Sequence, residues 1–255
     1  MRKNYMLLQV LNIVFFIMMI LVNWLANRIP IGGYTTGEVS SMYPNLFTPA
    51  PITFAIWGVI YFLLGLFIVY QGKSLVINGK DNLIFIDQIG IWFIVSCIAN
   101  ISWILAWHNL KIPLSMAFML LLLFSIIKIY QNLNIGRVKV DKRIEIYVHL
   151  PFQVYLGWIV IATIANLTTL LVYFGLNGLG TLAAIWTIAA LIFGTIVSYR
   201  MLVRRRDTVF CLVVLWAYLG IIIHQLRQQE SYPSIIITAI LCMTLIVFFL
   251  TPKKG

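Results

Sequence analysis

Eight stretches of the chain are apolar over about the 20 residues needed to cross roughly 30 Å of hydrocarbon. They lie near 5–26, 50–71, 84–107, 113–133, 146–174, 181–202, 208–226 and 233–250. In lipid a backbone must satisfy its own hydrogen bonds, so each stretch predicts a helix and the fold is expected to be all-α. Three of these helices carry polar residues in a regular order. In YLGWIVIATIAN, Tyr155, Trp158, Ala162 and Asn166 follow at steps of three, four and four, which puts them on one helical face. In SCIANISWILAWHN, Ser96, Asn100, Trp103 and Trp107 do the same, and in PITFAIWGVIYFLLG so do Trp57, Tyr61 and Gly65.

Depth changes the meaning of these faces. Trp57, Asn100 and Asn166 lie about eight or nine residues inward from the same ends of their helices, or about 12–14 Å at 1.5 Å per residue. That is below an interfacial aromatic belt. An amide in hydrocarbon is costly unless paired, so both Asn residues should face the bundle interior. One account is that they join helices as packing glue. The other is that amides and aromatic rings line an outer-half pocket for a flat amphiphile, the rings stacking and the amides orienting.

Composition agrees with the apolar pattern. The chain is 62% hydrophobic and 10% charged, far from the balance of a soluble domain. Its net charge of +11 is no sign of nucleic-acid binding, because of where the charges sit. With eight spans, all 18 basic residues except Arg28, Lys111 and Arg227 fall on one side. That bias places both termini in the cytoplasm and suits a multi-pass protein of a bacterial plasma membrane. The run RRRD at 204–207 reads as an orientation signal and headgroup contact. The first segment lacks a cleavage site and reads as a retained helix.

Between the first two spans lies the one long loop on the outer side, NRIPIGGYTTGEVSSMYPNLFTPAP, either a lid or an inert connection. No internal repeat of the kind that marks many transporters is visible. Cys97, Cys211 and Cys242 have neither metal nor disulfide spacing and read as small core residues. His108, His149 and His224 lie at helix ends, where an interfacial role outweighs haem ligation. Asp87 reads as helix N-terminal stabilisation, and Glu38 and Glu230 are too isolated for an acid–base pair. No nucleophile elbow, zinc-protease motif or phosphate loop is present, so no catalytic and no metal-binding residues are assigned.

The polar–aromatic faces resemble a known family, the tryptophan-rich sensory protein and translocator protein group (TspO/MBR). Its fifth helix carries a pattern like PYLxWxxFATxLN, matched here by Tyr155, Leu156, Trp158, Ala162, Thr163 and Asn166. Its third reads like NxxWSxLFF followed by a proline, and Asn100, Trp103, Trp107 and Pro113 fall at those offsets. Its second is matched by Thr48, Pro49, Phe54, Trp57, Tyr61 and Gly65 if one residue is deleted. An upstream tryptophan of that helix is missing, its place taken by Pro51 or Ile52. The sterol-linked Leu/Val…Tyr…Lys/Arg pattern after the fifth helix is also absent, since Tyr173 has no basic residue near it.

The resemblance covers roughly residues 43–175, with the first span a plausible partner. It implies a five-helix core at 1–175, with an outer loop at about 27–49, followed by a three-helix extension at 176–255. It also implies a pocket lined by Trp57, Tyr61, Asn100, Trp103, Trp107, Tyr155, Trp158, Ala162 and Asn166, with Trp57 and Trp158 stacking on the ligand. The ligand would be a porphyrin-like, sterol-like or isoprenoid-like amphiphile; a tetrapyrrole is the candidate, and no resident cofactor is assigned. The expected function is binding or sensing, with transport of a small hydrophobic metabolite and light-dependent porphyrin breakdown as alternatives. The missing indole weakens the last, so the reading leans away from an enzyme and leaves the point open. The partners implied are the hydrophobic ligand and membrane lipid, with a homodimer compatible and no nucleic acid.

Overall fold

The structure, a computed structural model, describes residues 2–29, 31–76, 83–228 and 231–251. Lys80, Glu230, Lys253 and Lys254 lie outside the described residues, as do the side chains of Arg2 and Lys3. Among the described residues the chain is helical without strands. The principal helices are α1 (Arg2–Arg28), α2 (Ile56–Val76), α3 (Trp92–His108), α4 (Ile112–Asn132), α5 (Leu150–Tyr173), α6 (Thr181–Arg205), α7 (Thr208–Arg227) and α8 (Pro233–Leu250). All but α3 are long and apolar enough to cross a membrane, and α3 is a shorter apolar helix of 17 residues.

The third stretch differs from the single helix expected at 84–107. A short helix, Ile84–Ile89, ends at Gly90, which takes φ 55° and donates its N–H to the Ile86 carbonyl at 2.8 Å. Only glycine adopts such a backbone without steric penalty, so the break is written at that residue. Elsewhere the boundaries follow ordinary stop and start chemistry. Pro113 and Pro233 stand in the first turns of α4 and α8, where a missing N–H is harmless. In RRRD, Arg206 takes the left-handed conformation that ends α6, and Asp207 caps α7 by accepting from the Phe210 N–H at 2.9 Å. The run is therefore a tight helix–helix turn, whatever headgroups it also meets.

The chain divides into two compact units. The first comprises residues 1–36 and 57–156, the second 37–56 and 157–255, so the division falls within α5 between Leu156 and Gly157. In the first unit, α3 packs along α1 and α4. Its core holds a cluster of aromatic rings, with Phe67 against Phe93 and Phe152 at 5.2 and 5.3 Å between centroids. Tyr70 and Tyr147 stack beside it at 5.1 Å.

In the second unit α6, α7 and α8 pack against one another. Glycines allow the close approaches. Gly194 admits the hydroxyl of Tyr218, which donates to the Leu191 carbonyl, and Gly157 faces Val213. The second part of the long loop between α1 and α2 is bound to α7 at three levels. Ala50 N–H donates to the Gly220 carbonyl (2.9 Å), Trp216 Nε1–H to the Thr53 carbonyl (3.0 Å) and Gln225 Nε2 to the Leu46 carbonyl (3.0 Å). The loop's residues 45–56 are thus structured backbone tied to α7 through Leu46, Ala50 and Thr53, not free chain.

Gly220 is the tightest of these contacts, because a Cβ there would collide with the Thr53 hydroxyl. Gly220→Ala should lower stability by about 1–3 kcal/mol through overpacking, read as a fall in the detergent melting temperature. Gly58→Ala, a helical site with open space around it, should leave the melting temperature unchanged or raise it.

Candidate functional site

In the first unit four helices each send one polar side chain to a common point. Asn23 of α1 donates its amide N–H to Asn100 Oδ1 of α3 at 2.7 Å and to its own Met19 carbonyl at 2.9 Å. Its Oδ1 accepts from the Tyr61 hydroxyl of α2 at 2.8 Å. Asn100 Nδ2 then donates to the Tyr155 hydroxyl of α5 at 3.3 Å. Asn100 is fully buried, and Asn23 and Tyr155 nearly so. The Asn23 amide has both N–H bonds and its oxygen engaged, as a buried amide requires.

Around this hub the rings form a column. Trp57 stacks on Tyr61 (5.5 Å between centroids) and on Trp103 (5.8 Å), and Trp103 stacks on Trp107 (6.0 Å). Tyr155 meets Trp57 edge-on at 6.2 Å. Trp103, Trp107 and Tyr155 are buried, whereas Trp57 and Tyr61 are half-buried and present the accessible part of the column. At the loop end the Trp107 indole donates to the Thr36 carbonyl at 3.1 Å, and the Thr36 hydroxyl lies 2.9 Å from His108 Nε2. Gly32, at φ 74°, lies so close to the His108 carbonyl that a Cβ there would clash. The first part of the long loop after α1 is therefore pinned to the end of α3, and His108 is an anchor for it.

Six of the nine residues read from the sequence thus come together: Trp57, Tyr61, Asn100, Trp103, Trp107 and Tyr155. The other three, Trp158, Ala162 and Asn166, belong to the second unit. There Trp158 is buried and meets Phe54 edge-on at 6.0 Å, Asn166 is buried, and Ala162 is partly exposed. The other two histidines are a side chain at the start of α5 (His149) and one 2.8 Å from Gln228 Nε2 (His224). The three cysteines are buried and unpaired.

Two groups escaped the sequence reading. The first is Asn23 itself, the hub. The second is a further amide cluster along α1 and α2. Gln9 Nε2 donates to the Gln71 carbonyl and to Ser74 Oγ (2.8 Å), and Asn12 Nδ2 donates to Gln71 Oε1 (3.0 Å). Gln9, Asn12, Met19 and Asn23 share one face of α1, and polar residues at that spacing in an apolar helix were the available signal.

The family model for TSPO-like proteins matches residues 9–251 of this chain. The chain belongs to the TSPO-like protein family. The matched region runs from α1 to the end of α8, so for this TSPO-like protein α6–α8 lie inside the match and not beyond it. With its seven long apolar helices and α3, it is a multi-pass membrane protein. No curated protein and no solved structure matches the chain.

Removing the hub amide strands two partners. Asn23→Leu should destabilise this TSPO-like protein by about 1–3 kcal/mol, since Asn100 and Tyr61 lose their bonds in a dry interior. Combined with Asn100→Leu in a double-mutant cycle, the two losses should fall short of additivity by about 0.5–2 kcal/mol in reversible detergent unfolding.

Proposed function

We propose that this TSPO-like protein binds a flat, largely apolar ligand of porphyrin, sterol or isoprenoid type at the ring column and amide hub of the first unit. Binding or sensing is the activity this reading assigns. The observation that carries this reading is the join of two kinds of group at one place: four stacked rings and a closed Tyr61–Asn23–Asn100–Tyr155 relay. Membership of the TSPO-like family supports it. The rings offer faces to a planar molecule, beginning with half-buried Trp57 and Tyr61. The hydroxyls and amides of the relay turn to meet a single polar group on it, which fixes orientation. Seating the ligand exchanges ring–ring contact for ring–ligand contact, and excludes water because the hub is already dry.

A second reading is passage of such a molecule or a small metabolite. It draws on the Gln9–Asn12–Gln71 cluster, a second buried polar station on the same two helices. The localisation that goes with either reading is a bacterial plasma membrane, with both termini in the cytoplasm, as the basic residues indicate.

Titration of detergent-purified protein with protoporphyrin IX tests the first reading. Tryptophan fluorescence should quench saturably with a micromolar midpoint. Trp57→Ala should raise that midpoint about tenfold while helical content is kept, the loss expected from one stacking partner. Linear quenching, or an unchanged midpoint in the variant, would exclude this ligand at this column.

A further inference from the structure

The second unit has a cleft of its own. It is open on one side and lies where the turn joining α5 to α6 meets the long loop near Asn45. Its walls are apolar, chiefly Leu171, Val172, Leu182 and Trp186, and no charged side chain lines it. Trp186 and Leu182 are about 60% exposed and form its lipid-facing rim. An apolar concavity with a few polar groups in its wall is the usual make-up of a small-molecule site.

One wall residue behaves unlike its neighbours. Hydroxyls within membrane helices bond back to a carbonyl of the preceding turn, as Thr163, Thr168, Thr169, Thr195 and Ser198 all do in this unit. Thr187 is 3% exposed and lines the cleft, yet among the described residues its hydroxyl has no hydrogen-bond partner. The residue is largely buried while its hydroxyl stays accessible in the cleft. A hydroxyl left without a bond in an apolar wall is disfavoured, so it marks where a bonding group is wanted. Asn45 and Thr168, on the same wall, are already bonded to each other at 3.2 Å. Asn177, at the exposed mouth, spends its oxygen on the Leu179 N–H and keeps its amide N–H₂ for solvent or ligand.

We propose that this cleft is a second binding site, for a neutral single-chain amphiphile such as a long-chain alcohol, whose hydroxyl bonds Thr187 while its chain lies against Leu171, Val172, Leu182 and Trp186. The uncharged lining sets the class: an anionic head would enter a dry wall with no cation to meet it. Thr187 sits six residues into α6, about 9 Å from its start, which places the bond below the membrane surface. The site belongs to the second unit, and its test does not depend on the ligand proposed for the first.

The experiment uses the full chain in phosphatidylcholine nanodiscs, photolabelled with a diazirine analogue of hexadecanol, with labelled peptides mapped by mass spectrometry. Labelling within 171–187 should saturate and be displaced by hexadecanol but not by hexadecanoate at pH 8. Thr187→Val, which keeps the shape and removes the hydroxyl, should weaken saturable labelling about fivefold, the worth of one neutral hydrogen bond. Leu182→Trp, a change at the exposed rim, should block the cleft and abolish it; this variant carries the test if Thr187→Val does not fold. Labelling spread evenly over the lipid-facing side chains of α6 and α8, or unchanged in the variants, would show bilayer contact only and overturn the proposal. Displacement by hexadecanoate as strong as by hexadecanol would overturn the neutral-head assignment.

Discussion

An amide placed in a hydrocarbon interior has no solvent to bond, so its partners must come from the protein, and Asn23–Asn100 is where this constraint acts hardest. The pair closes at 2.7 Å in a fully buried position. Meeting it fixes the height of α1 against α3, because an amide displaced by one helical turn would lose its partner at several kcal/mol in the worst case. Tyr61 and Tyr155 extend the same requirement to α2 and to the first turns of α5. Once the four helices are held in register, the stacking of Trp57, Trp103 and Trp107 follows from their positions three and four residues along the same faces.

The second unit solves a different problem. Its part of the long loop carries backbone N–H and carbonyl groups that regular helix would have used internally. Ala50, Thr53 and Leu46 find partners on α7 instead, and the approach is close enough to demand glycine at 220. The family match extends through these helices, which fits a loop that depends on α7 for its hydrogen bonds. Thr187 lines an apolar cleft with a hydroxyl that makes no hydrogen bond among the described residues, which is why that cleft reads as a site.

Much of this was legible in the sequence. Apolar length alone placed α8 at 233–250 without error, and α6 and α7 to within three residues at either end, because composition varies sharply at those ends. Trp57 and Tyr61 of α2 and Asn100, Trp103 and Trp107 of α3 follow helical spacing and meet Tyr155 in the first unit. Trp158, Ala162 and Asn166, of the same α5 face as Tyr155, lie instead in the second. Gly90 broke the third stretch by its own backbone angle, a local event that hydropathy averages away. Asn23 stayed hidden because a single amide near a helix end resembles an interfacial residue. Its role depends on what faces it, and a one-dimensional pattern does not give that. The same holds for Thr187, whose missing bond is visible only in three dimensions.

The most direct measurement of the central claim is solution NMR of the detergent-solubilised protein with ¹⁵N-labelled asparagine, following side-chain amides during addition of protoporphyrin IX. The amide signals of Asn23, Asn100 and Asn12 should all resist exchange with deuterated water, since all three are buried. On addition of ligand the Asn23 and Asn100 signals should shift and saturate together, while that of Asn12 stays in place. A shift at Asn12 as large as at the hub, or no shift at Asn23 and Asn100, would contradict a binding site built on that amide pair.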